Sequence, residues 1–272
     1  MTTARTNAWM TDGPYAENYQ RELVPVLFKP WARDLVADAD LRPGERLLDL
    51  ACGTGIVART AAQKANLKAV TGIDVNADML AVARSESVST RPPIAWRLAD
   101  ATDTGLPTGS IDVALCQQGL QFFPDRPAAL TELHRVVNPG GRIAVSVWAN
   151  PDSPGYVGFT PAFRRHLPDL PQAVGFVRAI FSLTDPAELY ELLVAAGFHD
   201  VRITCRTHMV RCVSVAHWVT TFMTAAPAPG LATVTRPIRD RIVADMTPAL
   251  TEYVGPEGLA FPLTAHIATA RR

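Results

Sequence analysis

Leu47-Leu48-Asp49-Leu50-Ala51-Cys52-Gly53-Thr54-Gly55 is an apolar run that stops in a glycine-rich turn and is followed at once by the helical pattern Ile56 to Lys64. Gly53 and Gly55 carry no Cβ, so the turn can take positive φ. It can then point main-chain donors at a ligand near the positive end of the following helix, where a carboxylate or phosphate is stabilised. Strand, tight turn and helix in that order are the opening of a βαβ unit. Taken alone, Gly53-x-Gly55-x-x-Ala58 also fits the dinucleotide fingerprint.

Nineteen residues beyond Gly55, Asp74 ends a second apolar run, Val70-Thr-Gly-Ile-Asp74. An acid there can accept both hydroxyls of an adenosine ribose. NAD and S-adenosylmethionine both carry that ribose, so the spacing calls for an adenosine-containing cofactor without choosing between hydride and methyl transfer.

Working outward, short β-rich runs alternate with helical patterns: Arg46-Leu50, Ala69-Asp74, Ile94-Leu98, Ile111-Cys116 and Arg142-Trp148. Such alternation argues for an α/β fold with a parallel sheet. From Asp125 to Val137, Asp125 is placed to cap a helix, Pro127 sits in its first turn, and Leu130, Leu133, Val136 and Val137 form one apolar stripe. Pro139-Gly140-Gly141 ends it. A second capped helix starts at Asp185 with Pro186 in its first turn, Glu188 completing a capping box, and Leu189, Leu192 and Leu193 before Gly197. Val201 to Val210 reads as the next strand. Phe261, Leu263, Ala265 and Ile267 alternate with Pro262, Thr264, His266 and Ala268 in a period-2 strand, the last of the sheet. Before the first strand, Tyr19 to Val36 is helical in pattern, and Pro25 and Pro30 are expected to split it into two short helices. Residues 150–182 and 213–256 lack strand character and read as insertions over one end of the sheet. Ala225 to Gly230 is a loop between elements.

The chain of 272 residues is 48% hydrophobic and 19% charged, the composition of an ordinary globular protein. Twenty-six acidic residues balance twenty-six basic ones, so no whole-protein field gathers polyphosphate or an anionic membrane surface, and nucleic acid and membrane are not expected partners. Four cysteines (Cys52, Cys116, Cys205, Cys212) contain no C-x-x-C pair, which fits a reduced cytoplasm. Met1 to Asn18 lacks the apolar core of a signal peptide.

Five ordered motifs then carry a resemblance. LLDLACGTG at 47–55, GIDVNADML at 72–80, LADATDTGLP at 98–107, SIDVALCQQGLQFFPD at 110–125 and LHRVVNPGGRIAVSVW at 133–148 resemble the class I S-adenosylmethionine-dependent methyltransferases, in the ubiquinone/menaquinone-biosynthesis-like (type 11) branch that modifies small molecules. The resemblance implies a Rossmann-like three-layer α/β sandwich, with a seven-stranded, mostly parallel sheet, an antiparallel last strand and helical lid insertions. It implies a single domain over 1–272: an N-terminal helical cap (1–44), a cofactor-binding core (45–149), lids at 150–182 and 213–256, and the last strand at 257–272.

By that resemblance S-adenosyl-L-methionine is the cofactor and S-adenosyl-L-homocysteine the product, with no metal. Gly53 and the backbone around Ala51 meet the methionyl part, Gly55 is a further cofactor-binding residue, Asp74 holds the ribose, and Val75 to Met79 line one side of the adenine, where the Met79 thioether packs softly on a ring. Asp100 accepts from the adenine amino group and the Ala101 amide donates to a ring nitrogen. Gln117 lies beside the methionyl end with Gln118. Tyr19 and Trp31, in the N-terminal helices, are candidates to close over the methyl site. Asp49 reads as a scaffold carboxylate, Asp112 as a strand-end residue, and Phe122 and Phe123 as core rather than as a substrate wall.

No histidine has a positional warrant as a base; His166, His217 and Gln118 are the candidates for contact with substrate, His166 and His217 because they fall in the lids. The expected reaction is methyl transfer to an O, C or N atom of a small organic acceptor, a secondary or specialised metabolite, by alignment in a dry site. Phe159, Phe163, Phe176, Phe181, Trp218, Phe222 and Met223 in the lids point to an apolar acceptor. The chain is expected to be a cytoplasmic monomer or homodimer. An NAD-dependent oxidoreductase shares Gly53, Gly55 and Asp74, but a Tyr-x-x-x-Lys pair is absent, since Lys occurs only at 29, 64 and 68. A methyltransferase fold that binds the cofactor for a non-methylating reaction, or as a noncatalytic partner, is the other alternative.

Overall fold

The computed structural model describes residues 15–272; the start of the N-terminal segment, residues 1–14, and with it most of the stretch read against a signal peptide, lies outside the described residues. The chain opens in one helical run: α1 (Tyr15–Asn18), a widened π-helical segment (Tyr19–Phe28) and α2 (Lys29–Asp38). Pro25 and Pro30 do not break it into helices joined by a loop, as expected from their missing donors. The backbone widens instead, with the Lys29 N–H reaching back five residues to the Val24 carbonyl, and Pro30 falls in the first turn of α2, where no donor is needed.

Then follow β1 (Arg46–Leu50), α3 (Ile56–Lys64), β2 (Ala69–Asp74), α4 (Ala77–Glu86), β3 (Ile94–Leu98), β4 (Ile111–Gln117), α5 (Arg126–Val136) and β5 (Val137–Trp148). Next come the short helices α6 (Pro154–Val157), α7 (Phe159–His166) and α8 (Pro171–Ile180), then α9 (Pro186–Ala195) and β6 (His199–Cys212). The chain ends with α10 (Val215–Ala225), α11 (Arg236–Leu250), β7 (Val254–Gly255) and β8 (Gly258–Arg271). The spatial order is β3-β2-β1-β4-β5-β8-β6, with β7 added as a two-residue eighth strand against β8. β1 to β5 pair in parallel, and β8 runs antiparallel between β5 and β6.

Connection direction reverses between β1 and β4, neighbours in space whose chains lead to opposite sides of the sheet. That reversal leaves a crevice at the carboxyl ends of the two strands, the place where open α/β sheets bind ligands. The strands flanking it are buried on both faces, as their continuous apolar runs require: Leu47, Leu48 and Leu50 in β1, and Val113 to Cys116 in β4. β8 instead alternates buried and part-exposed residues.

The Asp125 carboxylate accepts from the Ala128 N–H and that of Asp185 from the Ala187 N–H, so both capped helices begin where their sequences place them. The capping box at Asp185 is replaced by an ion pair, because Glu188 meets Arg126 of α5 at 3.0 Å. Pro139-Gly140-Gly141 follows the end of α5 but lies within β5, which starts at Val137 rather than Arg142; Gly140 has φ +79°. Among the described residues no helix is long and apolar enough to cross a membrane.

One packing detail shapes the site. The Trp96 indole of β3 fills a slot made by two glycines: a Cβ on Gly55 or on Gly72 would each come within 2.2 Å of the ring. Trp96 Nε1 donates to Ser87 Oγ at 3.0 Å, which fixes the ring there. Gly72→Ala is therefore expected to destabilise the fold by about 1–3 kcal/mol through overpacking. Urea unfolding should show that loss largely removed when Trp96 is also Leu, and equal losses in both backgrounds would contradict the slot.

Candidate active site

The glycine turn is built by left-handed backbone at three alternate residues, Ala51 (φ 55°), Gly53 (φ 53°) and Gly55 (φ 83°). They fold the chain back so that β1 and β2 are stitched together at their carboxyl ends. Cys52 N–H donates to the Ile73 carbonyl at 2.9 Å, and Gly53 N–H donates to Asp74 Oδ2 at 2.7 Å. The other oxygen, Asp74 Oδ1, accepts from Asn76 N–H at 2.9 Å. Asn76 Oδ1 in turn caps α4 by accepting from Asp78 and Met79 N–H. Beneath the turn, Asp49 Oδ2 accepts from Ala58 N–H at 2.9 Å in the first turn of α3. Arg59 grips the Thr54 carbonyl and reaches Gln20 of the N-terminal helix.

Above these strand ends lies a cavity with about 1100 Å³ of empty space, its open mouth included. Its floor is made by Ala51, Gly53, Asp74, Val75, Asn76, Gln117, Gln118 and Gly119, and carries the polar side chains of Asp74, Asn76, Gln117 and Gln118. The N-terminal run supplies Tyr15, Tyr19 and Phe28, and Phe28 meets Trp148, which with Tyr156, Phe176, Ile180 and Phe222 makes an apolar chamber. A second, smaller cavity shares Ala51, Asp74, Val75 and Phe123 with the first and adds Asp100, Ala101 and Thr102. The lining of the main cavity contains one carboxylate, Asp74, and no Lys, Arg or His.

Burial sets the electrostatics. Asp49, 1% exposed, is pushed up to about 7, first by loss of solvation, against the bond from Ala58, with the Asp74 charge adding to the rise. Burial likewise raises Asp74, opposed by the backbone N–H groups of Asn76, Gly53 and Val75 that face its carboxylate. It lifts the Tyr19 and Tyr156 phenols well above their usual range, the Asp74 charge contributing at Tyr19. Both hydroxyls are neutral donors at physiological pH.

Most of the candidate residues meet at these two cavities. Ala51, Gly53, Asp74, Val75, Met79, Gln117, Gln118 and Tyr19 line the main one, and Asp100 and Ala101 the smaller. Gly55 lies outside both, since its missing Cβ makes room for Trp96 rather than for a ligand. Trp31 is fully buried, edge-on to Trp148 and His208, and does not reach the cavity. His166 sits away from it with Nε2 3.0 Å from Asp245 Oδ2, and His217 is exposed at the start of α10.

Phe122 and Phe123, read as core, pack against the core clusters and also line the cavity. Of the lid residues taken as an apolar acceptor wall, Phe176 and Phe222 line it; Phe159, Phe163, Trp218 and Met223 are sealed in the core. Asp112 binds Arg46 and Asn138, a structural role. Sequence reasoning missed Tyr15, Phe28, Gly119, Trp148 and Tyr156. Gly119 alone left a signal, as the glycine after two glutamines: a Cβ there would strike Ala51 Cβ at 2.7 Å. Among the described residues no cluster of His, Cys, Asp or Glu is placed to hold a metal.

A family model described as a methyltransferase domain matches residues 48–145, the turn and the strands that carry the cavity floor. The demethylmenaquinone methyltransferase of Thermus thermophilus is 30% identical over 194 residues, which cover 68% of this chain and 88% of that protein. The 2-phytyl-1,4-naphtoquinone methyltransferase of Synechococcus elongatus is 35% identical over 144 residues. That match covers 52% of this chain and 62% of the relative's length. Among solved structures, the YcgJ protein of Bacillus subtilis superposes with a TM-score of 0.62 at 16% identity over 89% of this chain and 98% of that one, a likeness of fold. Fold and site define a class I methyltransferase domain. The chain belongs to the S-adenosylmethionine-dependent methyltransferase family, in the type 11 branch.

The buried Asp49 gives a pH signature. Its carboxyl rises from the ordinary 3.8 to about 7 on folding, so across that interval the native state keeps a proton that the unfolded chain has released. Stability contributed by this group is full below the lower value, falls as pH rises towards the upper one, and is level above it. Asp49→Asn should remove that component: the difference in urea-unfolding free energy between Asp49→Asn and wild type should grow in the variant's favour from about pH 4 to about pH 7. Parallel curves would show that Asp49 is ionised throughout.

Proposed function

We propose that this protein transfers the methyl group of S-adenosylmethionine to an O, C or N atom of a small, largely apolar organic acceptor. The observation that carries the reading is the division of one cavity into a polar floor at the switch point and an aromatic chamber beside it. The floor fits the cofactor. Asp74 offers a carboxylate where ribose hydroxyls would lie, and Gly53 presents bare backbone to the cavity: a Cβ added there would meet nothing nearer than Tyr19 Oη at 3.9 Å, so a side chain would occupy the ligand's space. Val75 and Met79 would flank the adenine, Asp100 and Ala101 would meet its polar edge in the adjoining cavity, and Tyr19 would border the methionyl end.

When bound, S-adenosylmethionine supplies a methyl group already activated on a sulfonium. The protein's contribution is alignment and exclusion of water. A chamber walled by Phe28, Phe122, Trp148, Tyr156, Phe176 and Phe222 would hold an apolar acceptor against the floor, and such positioning is worth up to ~7–11 kcal/mol. Without Lys, Arg or His in the lining, acceptors that need no strong base, or that lose their proton to solvent, suit it best. The chamber's lack of cationic groups also favours neutral acceptors over polar acids.

Labelled methyl donor should therefore pass label to neutral phenols and polyketide-like molecules in preference to polar acids, and transfer to acids alone would count against the chamber. Asp74→Ala should weaken S-adenosylhomocysteine binding by ~1.5–3 kcal/mol, the loss of hydrogen bonds to a charged acceptor. Calorimetric affinity equal to wild type would remove Asp74 from the ribose.

A further inference from the structure

Gln117 and Gln118 are adjacent in sequence and line the same cavity. Neighbours on an extended strand point to opposite faces. Gln117 ends β4, and Gln118 escapes the alternation by adopting φ +47°, a left-handed conformation that costs a non-glycine residue free energy and tends to persist where function requires it. The Gln118 N–H still donates to the Ser146 carbonyl at 2.8 Å, so the turn is fixed to β5.

Each amide is anchored by one end and bare at the other. Gln117 Nε2 donates to the Phe28 carbonyl at 2.8 Å, which leaves Oε1 buried without a partner among the described residues. Gln118 Oε1 accepts from Ser146 Oγ at 3.2 Å, which leaves Nε2 buried without one. The two side chains are 9% and 5% exposed. Leaving a buried polar atom unpaired costs about 1–3 kcal/mol, a cost that a ligand with one donor and one acceptor would remove once a small rotation of each amide brought these buried atoms to the cavity.

On the footing of the methyl-transfer reading, we propose that Gln117 and Gln118 recognise the acceptor: Gln117 Oε1 accepts from a hydroxyl and Gln118 Nε2 donates to a carbonyl on the same neutral, apolar ring system. The substrate class is a hydroxy-carbonyl compound, such as a hydroxylated aryl ketone or the enol of a dicarbonyl. A carboxylate has acceptors only; it would satisfy Gln118, oppose Gln117 Oε1 and sit in a cavity whose one charged group is the Asp74 carboxylate. A simple phenol or ketone satisfies one amide and strands the other.

The cofactor's methionyl end also carries a donor and an acceptor, and the test separates the two uses. Calorimetry on the full chain saturated with S-adenosylhomocysteine would compare a hydroxytetralone with tetralone, naphthol and naphthoate. Wild type should bind the hydroxytetralone about tenfold or more tightly than the other three. Gln118→Met, and the nearly isosteric Gln118→Glu should the first fold poorly, should erase the preference over naphthol and cost the hydroxytetralone about tenfold more affinity than they cost S-adenosylhomocysteine. A parallel loss of S-adenosylhomocysteine affinity would assign the amides to the cofactor and overturn the proposal, as would equal binding of the four probes by wild type. If wild type binds no S-adenosylhomocysteine, the methyl-transfer reading itself fails, and this assignment with it.

Discussion

The hydrogen bond from the Gly53 N–H to the Asp74 carboxylate, 2.7 Å long, ties the carboxyl end of β1 to that of β2. Much of the site follows from it. It can form only if the chain after Leu50 turns back through left-handed backbone at Ala51 and Gly53, and that turn delivers α3 with its amino end under the cavity. Asp49 then caps the start of α3 from below, Asn76 starts α4 from the side, and the open floor faces the crevice where the sheet order reverses.

Around this rigid floor the remaining walls come from distant parts of the chain. The N-terminal run is held over it by Gln117 Nε2 on the Phe28 carbonyl, by Asn18 on the Thr224 carbonyl and by Gln20 on Glu86. The helices between β5 and β6, and those between β6 and β8, bury Phe159, Phe163, Trp218 and Met223 as their own core and leave Tyr156, Phe176 and Phe222 on the cavity. One apolar cluster thus both stabilises the lid and walls the chamber, so a chamber substitution is apt to change stability and binding together.

Much of this was legible in sequence where local chemistry has one outcome. Glycine punctuation gave β1 and α3, Asp125 and Asp185 announced their helices, and strict alternation gave β8. What was not legible depended on three-dimensional neighbours. Gly55 reads as a ligand contact from its spacing, yet its partner is Trp96, forty-one residues away. Phe122 and Phe123 sit on a tight turn whose direction no periodicity reports. Glu188 had two partners within reach, a backbone N–H and Arg126, and the ion pair won. Pro25 sits inside the widened segment without ending it, so a signal that ends ordinary helices became a change of pitch. His166 and His217 were candidates because they fall in the lids, but membership of a lid does not make a residue face the substrate.

The central claim is that the floor at Gly53 and Asp74 is built for S-adenosylmethionine rather than for a nicotinamide cofactor. The thermal midpoint of the full chain, measured with S-adenosylhomocysteine and separately with NAD, tests it most directly, because a ligand that binds the native state alone raises the midpoint. The account predicts a rise with S-adenosylhomocysteine, lost in Asp74→Ala, and none with NAD. A rise with NAD alone would contradict it.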